Sequence, residues 1–545
     1  MTLGQKITAL RTSRKLSQES LAETLSVSRQ SVSKWESDKS IPELPIILKL
    51  SEFFHIALDD LLRENLPLAI PSPIENTIDY NTKYDLHYFG TDGFRGEANT
   101  VLTADHAYRI GRFLGWYYTS PLCQNRDPNH KTRIVVGKDT RRSSYMFEYS
   151  IVAGLTASGA DAYMLHVTTT PSVSYVARQD NFDCGIMISA SHNPFYDNGI
   201  KLINSYGEKM DDYTLSLAEK YLDGHLDELG VEGDLPYATR ENVGKIIDYA
   251  AGRNRYVGYL ISVAANSYKE LNIALDCANG SAWMIAKSVF DALGAKTHII
   301  NAQPDGTNIN TNAGSTHIEP LCKYVKDNRC DMGFAFDGDA DRCIAVDENG
   351  NVVNGDHVIY ILAQMLRKKG LLKGDKIVAT VMSNLGLYRA LDDAGIGYIQ
   401  TAVGDKYVHQ ALCENDLSIG GEQSGHTIVR KYASTGDGIL TAILLTECVV
   451  ENKSTLGALA APVKMYPQVL KNIRVESKAA VMENEQVLAA VKEVEKALGN
   501  SGRILLRESG TEPLIRVMVE SPSQKTCEAH TDSIIALIKK LGLAE

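Results

Sequence analysis

The chain lacks several features that would each have fixed its class. Its nine cysteines contain no C-x-x-C pair. An odd number of scattered thiols with no secretion signal fits reduced cysteines in a reducing compartment rather than a disulfide framework. No apolar run is long enough to span a bilayer: the longest, GILTAILLTECVV from Gly438 to Val450, is interrupted by Thr and Glu. The N-terminus has no signal-peptide pattern, so a cytoplasmic protein with no membrane contact is expected. Nor is there an excess of positive charge. With 56 Lys and Arg against 67 Asp and Glu, the net charge of -11 excludes a surface that coats nucleic acid as a whole. Any such contact must be local. At 545 residues, 44% apolar and 23% charged, the chain is too long for one core, and three to five soluble domains are expected.

The first 66 residues read as short amphipathic helices with joins of only a few residues. Ser17 and Ser28 stand where N-caps belong, and Leu21, Ala22, Leu25, Val27, Val32 and Trp35 fall where two crossed helices share a core. Charge is polarised: residues 1–34 hold six basic residues and two acids, residues 35–66 three and seven. The run SQESLAETLSVSRQSVSKWE resembles the helix-turn-helix of the phage-repressor-like (Cro/C1, or XRE) family. That resemblance implies that Arg29, Gln30, Ser33 and Lys34 face the major groove of double-stranded DNA, with Gln18 supporting them from the preceding helix. A docking or dimerisation module is the rival reading. Repressor-type modules usually act in pairs, which points to a homodimer.

A linker at 67–84 carries Pro67, Pro71 and Pro73, which deny helix and stiffen the chain. Beyond it, β-branched runs (TRIVVGKD, CGIMISAS, LNIALDCA, KTHIINA, MGFAFDGD, KIVATVM) alternate with helical stretches, the pattern of α/β domains with mixed or parallel sheets.

Two stretches carry the chemistry. In FDGDADRCIAVDENG, Asp337, Asp339 and Asp341 lie two apart, so an extended backbone leaving a strand projects them to one side. Three carboxylates there repel one another unless a hard cation such as Mg²⁺ lies between them. An EF-hand loop is the competitor, with Glu348 at its twelfth position, but Arg342 stands where its turn needs glycine. A cation held by three carboxylates keeps positions for a phosphate oxygen, and candidate phosphate partners are Arg95 in YFGTDGFRGEA, Arg141 and Arg142 in GKDTRRSS, and the cradle LLRESGTEPLIRV. The second stretch, GIMISASHNPFYDNGIK, runs from a strand into a polar turn holding Ser189, Ser191 and His192. A phosphorylated serine needs charge neutralisation and positioning more than a catalytic triad.

Together the motifs occur in the order and spacing of the α-D-phosphohexomutase superfamily, over about residues 86–540. They look most like its branch acting on glucosamine phosphates, with Gln423 where glucose and mannose mutases usually carry Met. The resemblance implies four domains after the helix-turn-helix domain (1–66) and linker: 85–245, 246–350 and 351–463, each mixed α/β, and an α+β domain at 464–545. It implies that Ser191 is the phosphoserine, that Mg²⁺ is held by Asp337, Asp339, Asp341 and an oxygen on Ser191, and that Arg95, His192, Lys201 and Arg342 surround the transferring phosphoryl group. Glu422 and Ser424 would grip sugar hydroxyls with His426 close by. Arg507, Ser509, Gly510, Thr511 and Arg516 would hold the other phosphate. Departures from the family are small, chiefly Ala340 where glycine is frequent and Glu508 where proline is. The implied reaction interconverts glucosamine 6-phosphate and glucosamine 1-phosphate, with glucosamine or glucose 1,6-bisphosphate as activator. The alternatives are a glucose or mannose phosphate mutase, and a transcriptional regulator using the mutase part as a sugar-phosphate sensor.

Overall fold

The computed structural model describes residues 2–13, 17–25, 27–43, 46–47, 49–50, 54, 84–123, 130–509 and 513–545. The expected linker, except its last residue, and most of the helical stretches expected at 44–66 lie outside the described residues, as do Gly510 and Thr511. The chain forms two compact units, Met1–Asp85 and Leu86–Glu545.

In the first unit the described helices are Leu3–Ser13, Gln18–Leu25 and Arg29–Glu36. Both expected caps form: Ser17 Oγ accepts the Ser20 N–H at 3.0 Å and Ser28 Oγ the Ser31 N–H at 3.1 Å. Each satisfies an N–H that the first helical turn leaves without a partner. Leu21, Ala22, Leu25, Val32 and Trp35 are buried with Ile7 and Leu10, and Val27 packs at their edge.

Among the described residues the second unit contains four sheets. The first has seven strands, in the order Phe89–Gly90, Gly93–Glu97, Asp197–Asn204, Cys184–Ile188, Arg133–Lys138, Asp161–Val167, Ile246–Asp248. Its central strands Arg133–Lys138 and Cys184–Ile188 are parallel and almost wholly buried, because helices cover both faces. The second sheet has five strands (Val352–Val353, Cys343–Val346, Met332–Phe336, Asn272–Asp276, Lys296–Ile300) and the third four (Gly397–Thr401, Lys376–Thr380, Ile419–Gly421, Thr427–Val429). These two share one apolar core. The longest apolar run of the sequence is the helix Gly438–Asn452, buried from Gly438 through Val449 inside that core. Among the described residues no helix is long and apolar enough to cross a membrane. The last sheet is antiparallel, Gln468–Arg474, Leu514–Glu520, Arg503–Glu508, with its own core against helices Glu485–Leu498 and Gln524–Lys540. Every β-branched run singled out in the sequence is a strand. The fold is mixed α/β with an α+β C-terminal part, preceded by a small all-α unit.

Candidate active site

Strand Cys184–Ile188 ends three residues before Ser191, and the turn that follows is held by backbone clamps. Ser191 has φ +51°, in the left-handed region that non-glycine residues rarely adopt. Its carbonyl accepts from Arg141 Nη2 at 2.9 Å and Asn310 Nδ2 at 2.8 Å, and the Asn193 carbonyl accepts from the same two groups at 2.9 and 3.1 Å. Arg141 also donates to the Pro194 carbonyl and, at 3.0 Å, to that of Asp197. Its Nε is held by Asp139 Oδ2 at 2.7 Å. The guanidinium is fully buried and committed to backbone. The expectation that Arg141 serves as a phosphate partner is therefore corrected: it shapes the serine loop. Ser189, the competing hydroxyl, donates to Asp139 at 2.7 Å and accepts the Ser191 N–H at 2.9 Å, so its oxygen is already occupied.

The Ser191 hydroxyl donates to Asp337. Asp337, Asp339 and Asp341 form the turn between the antiparallel strands Met332–Phe336 and Cys343–Val346, whose ends pair as Phe336 and Cys343. The carboxylates converge because the chain reverses there, with Ala340 at φ +56°, not because an extended strand alternates its side chains. The flanking strands also exclude the EF-hand reading, which needs helices. Gly338 makes the approach to the serine possible: a Cβ there would lie 2.5 Å from the Ser191 carbonyl oxygen.

The three carboxylates are buried, with ligand oxygens within 4.8 Å of one another. Asp339 Oδ1 and Asp341 Oδ1 are buried without hydrogen-bond partners, although Asp339 Oδ2 accepts from Thr170 Oγ1 at 2.5 Å and Lys201 Nζ at 2.7 Å. Orphaned buried carboxylate oxygens are costly unless a cation satisfies them, and an all-oxygen set suits a hard divalent ion. The residues present fit Mg²⁺.

A basic rim faces this acidic cluster. Lys201, in strand Asp197–Asn204, also lies 3.3 Å from Asp341 and 3.3 Å from Asp92. Burial works against its charge, but Asp339, Asp92 and Asp341 together raise its pKa. Burial likewise opposes the Asp92 carboxylate, yet Lys201, Arg95, Lys209 and Arg342 hold it well below the usual range. Arg95 pairs with Asp92. Arg342 Nε is buried 4.0 Å from Asp341 Oδ1. Burial raises Asp337, reinforced by Asp341 and Asp339. His192 Nδ1 stands 3.5 Å from the serine oxygen; burial and the positive charges of Arg342 and Arg95 push its pKa down to about 4, so the ring is neutral near pH 7.

Glu422 and His426 lie on the hairpin joining Ile419–Gly421 to Thr427–Val429. Glu422 Oε1 accepts the Gly404 N–H at 2.9 Å, and the exposed Ser424 hydroxyl reaches Glu422 Oε2 at 3.5 Å. His426 is buried, 3.8 Å from Asp341 and 3.5 Å from Asp405 across its two nitrogens, so it supports those carboxylates. Arg507 and Arg516 are direct cross-strand partners in the C-terminal hairpin, where like charges repel unless an anion lies between them. Burial and Arg516 lower the Arg507 pKa. Arg516 Nη2 donates to Ser509 Oγ at 3.3 Å, and Lys478 caps the Ser509 carbonyl at 2.9 Å.

In the first unit Arg29, Gln30, Ser33 and Lys34 are exposed on one helix whose Val32 and Trp35 are buried. Gln18 instead donates to Glu36 at 2.7 Å, inside the unit. Lys6 is fully buried and Arg11 pairs with Glu36, so the basic half presents less positive charge than its sequence count.

Sequence reasoning passed over Asp92, Thr170, Asn310 and Asp405. Asp92 was visible as the acid three residues before Arg95, and Thr170 in the threonine run before Pro171; the other two carry no local signal.

A buried serine on a positive-φ turn, three convergent carboxylates and a paired-arginine hairpin define a phosphoryl-transfer enzyme on four successive α/β and α+β units. Matching descriptions agree: "Phosphoglucomutase/phosphomannomutase" α/β/α domain I at 86–224, domain II at 254–350, domain III at 354–466 and the C-terminal domain at 470–537, with "Helix-turn-helix" at 7–61. A phosphoglucosamine mutase of Lachnospira eligens is 62% identical over 457 residues, 84% of this chain and 99% of that protein. Among solved structures, a phosphoglucomutase/phosphomannomutase family protein of Burkholderia thailandensis superposes with TM-score 0.67 at 22% identity, over 84% of this chain and 98% of that one. An Aspergillus fumigatus N-acetylphosphoglucosamine mutase, solved with GlcNAc-6P and magnesium, gives 0.60 at 16% identity, over 84% and 96%. The chain belongs to the phosphoglucomutase/phosphomannomutase family and, within it, to the phosphoglucosamine mutases.

Proposed function

We propose that the enzyme interconverts glucosamine 6-phosphate and glucosamine 1-phosphate through a phosphoserine at Ser191 and a 1,6-bisphosphate. The observation that carries this is the meeting of the Ser191 hydroxyl with Asp337 beside two orphaned carboxylate oxygens and the Lys201 ammonium. In the first half-reaction the sugar hydroxyl attacks the phosphorus on Ser191. The Oγ–P bond breaks, its electron pair stays on Oγ, and the proton lost by the sugar hydroxyl is balanced by one gained at the serine. After the bisphosphate turns around, Ser191 Oγ takes the other phosphoryl group and the freed sugar oxygen is protonated.

Asp337, Asp339 and Asp341 would hold Mg²⁺, which supplies positive charge to the phosphoryl oxygens. Lys201 and Arg342 add fixed charge from the protein. Arg95 is held by Asp92, and neutral His192 orients the serine rather than acting as its base. Glu422 and Ser424 would receive sugar hydroxyls, and Arg507, Ser509 and Arg516 the phosphate that is not moving. Glucosamine or glucose 1,6-bisphosphate would prime Ser191. The Lachnospira relative's name and Gln423 support glucosamine over glucose or mannose; turnover of the three sugar phosphates on the purified enzyme tests that choice. Ser191→Ala should abolish turnover while the fold survives, and undiminished activity in that variant would overturn the reading.

A second activity rests on the first unit. We infer that residues 1–66 bind double-stranded DNA, supported by the four exposed polar residues on the helix Arg29–Glu36 and the helix-turn-helix match. A preferred operator should be selected from random DNA at physiological salt, and lost on replacing Arg29 and Gln30 with Ala. Absence of any preferred sequence in the wild type refutes it. A homodimer and the domain limits expected from sequence belong to the same reading.

A further inference from the structure

Away from the aspartate cluster, a second group of side chains has the donors and spacing of a metal centre. Glu208 lies in the turn after strand Asp197–Asn204, closed by the Asn204 N–H on the Glu208 carbonyl at 2.8 Å. His409 and Cys413 are four residues apart on the helix Asp405–Glu414, a spacing that puts them on one face. The ligand atoms of the three residues lie within 4.8 Å of one another. His409 Nε2 is 3.5 Å from Glu208 Oε1 and 3.8 Å from Cys413 Sγ.

Those separations can be compared with what a tetrahedral ion requires. Zinc bonds of about 2.0–2.1 Å to nitrogen and oxygen and about 2.3 Å to sulfur place neighbouring N and O ligands about 3.3 Å apart and N and S about 3.6 Å. The two distances from His409 Nε2 exceed these by about 0.2 Å, and the Glu208 and Cys413 ligand atoms lie within 4.8 Å of each other, so side-chain rotation can close the set around an ion. The donor chemistry differs in kind from the aspartate cluster: one imidazole, one thiolate and one carboxylate suit a borderline metal, not Mg²⁺. Among the described cysteines Cys413 is also the one that is exposed, so solvent reaches the site.

We propose that Glu208, His409 and Cys413 bind Zn²⁺, with water in the fourth position, and that the ion staples the seven-stranded part of the enzyme to the helix Asp405–Glu414. The neighbouring Lys209 already reaches that helix, 2.6 Å from Asp405 Oδ1, so the ion would reinforce an existing seam. The ion binds a neutral imidazole and a thiolate, so binding strengthens as the pH rises.

The test uses the full-length enzyme in saturating Mg²⁺, which fills the aspartate cluster, with Co²⁺ as the spectroscopic probe. One equivalent of Co²⁺ should produce thiolate-to-metal absorption in the near ultraviolet, and Zn²⁺ should abolish it by displacement. Cys413→Ser and His409→Ala should lose the band, and Glu208→Gln should weaken Co²⁺ binding about tenfold. All three should keep mutase activity in the absence of added transition metal, which shows that they fold. No band in the wild type, or an undiminished band in Cys413→Ser, would overturn the proposal. Failure of the mutase reading would leave the cobalt result unaffected.

Discussion

Arg141 Nη2 donates to the Ser191 carbonyl at 2.9 Å, from a guanidinium that is wholly buried and carries no solvent contact. Lysine cannot reproduce this clamp, because a point ammonium reaches one or two carbonyls where the planar fork serves those of Ser191, Asn193, Pro194 and Asp197. Asn310 still serves the Ser191 and Asn193 carbonyls, and each remaining carbonyl left without a donor costs about 1–3 kcal/mol. Arg141→Lys should therefore lower thermal stability and reduce kcat by at least about 100-fold, as expected for a misplaced reacting group. Phosphorylation of Ser191 by added bisphosphate, followed by intact-mass measurement, should slow in parallel. A normal phosphorylation rate would show that the clamp serves folding alone.

Gly338→Ala probes the same loop from the opposite side. The added methyl would stand 2.5 Å from the Ser191 carbonyl oxygen and 2.8 Å from Ile309 Cδ1, and the first of these neighbours is backbone that cannot rotate aside. The serine and the aspartate turn must separate. kcat should fall by about 100-fold or more. KM should change little, since the hairpin of Arg507 and Arg516 is untouched. A large rise in KM with kcat preserved would contradict this division of labour.

Much of this was legible in the sequence, and the limits have physical causes. Strands such as Cys184–Ile188 and Met332–Phe336 announced themselves because strands buried on both faces are written as unbroken apolar runs. Ser191 and the three aspartates stood out as polar groups ending such runs. The role of Arg141 was misread because its partners are backbone carbonyls 50 to 56 residues away, which no local pattern encodes. The aspartate turn was read as extended because alternate spacing suits a strand and a tight turn equally. Asp405 approaches His426 only through tertiary packing.

The paired arginines of the C-terminal hairpin make opposite predictions for stability and for binding. Arg507 faces Arg516 across the antiparallel ladder, where the two like charges repel and a bound phosphate would offset that repulsion. Arg507→Gln should raise the melting temperature of the sugar-free enzyme, reflecting relief of about 0.2–1 kcal/mol of cross-strand repulsion. It should also raise KM for the sugar phosphate about tenfold or more, the cost of a lost charge-assisted hydrogen bond. Destabilisation with unchanged KM would assign the pair a structural role.

Asp356 supplies a pH test of a buried carboxyl. It lies in the first turn of the helix Gly355–Lys368, fully buried, with Oδ2 accepting the Asn384 N–H at 2.8 Å. Burial, helped by Glu520, pushes its pKa up to about 7 against the opposing pull of the Asn384 N–H, the Ser383 hydroxyl and Arg503. An unfolded Asp titrates near 3.9, so between about pH 4 and 7 the folded chain holds a proton that the unfolded chain has released. The stabilisation from that neutral carboxyl is fully present below about pH 4 and is lost as the pH rises through 7, a swing of a few kcal/mol at about 1.4 kcal/mol per pH unit. Asp356→Asn keeps the group neutral at every pH. The variant should therefore gain melting temperature over the wild type at pH 8, with the gain shrinking steadily towards pH 5. An equal shift at both pH values would mean that Asp356 is already ionised in the fold and that burial does not hold its proton.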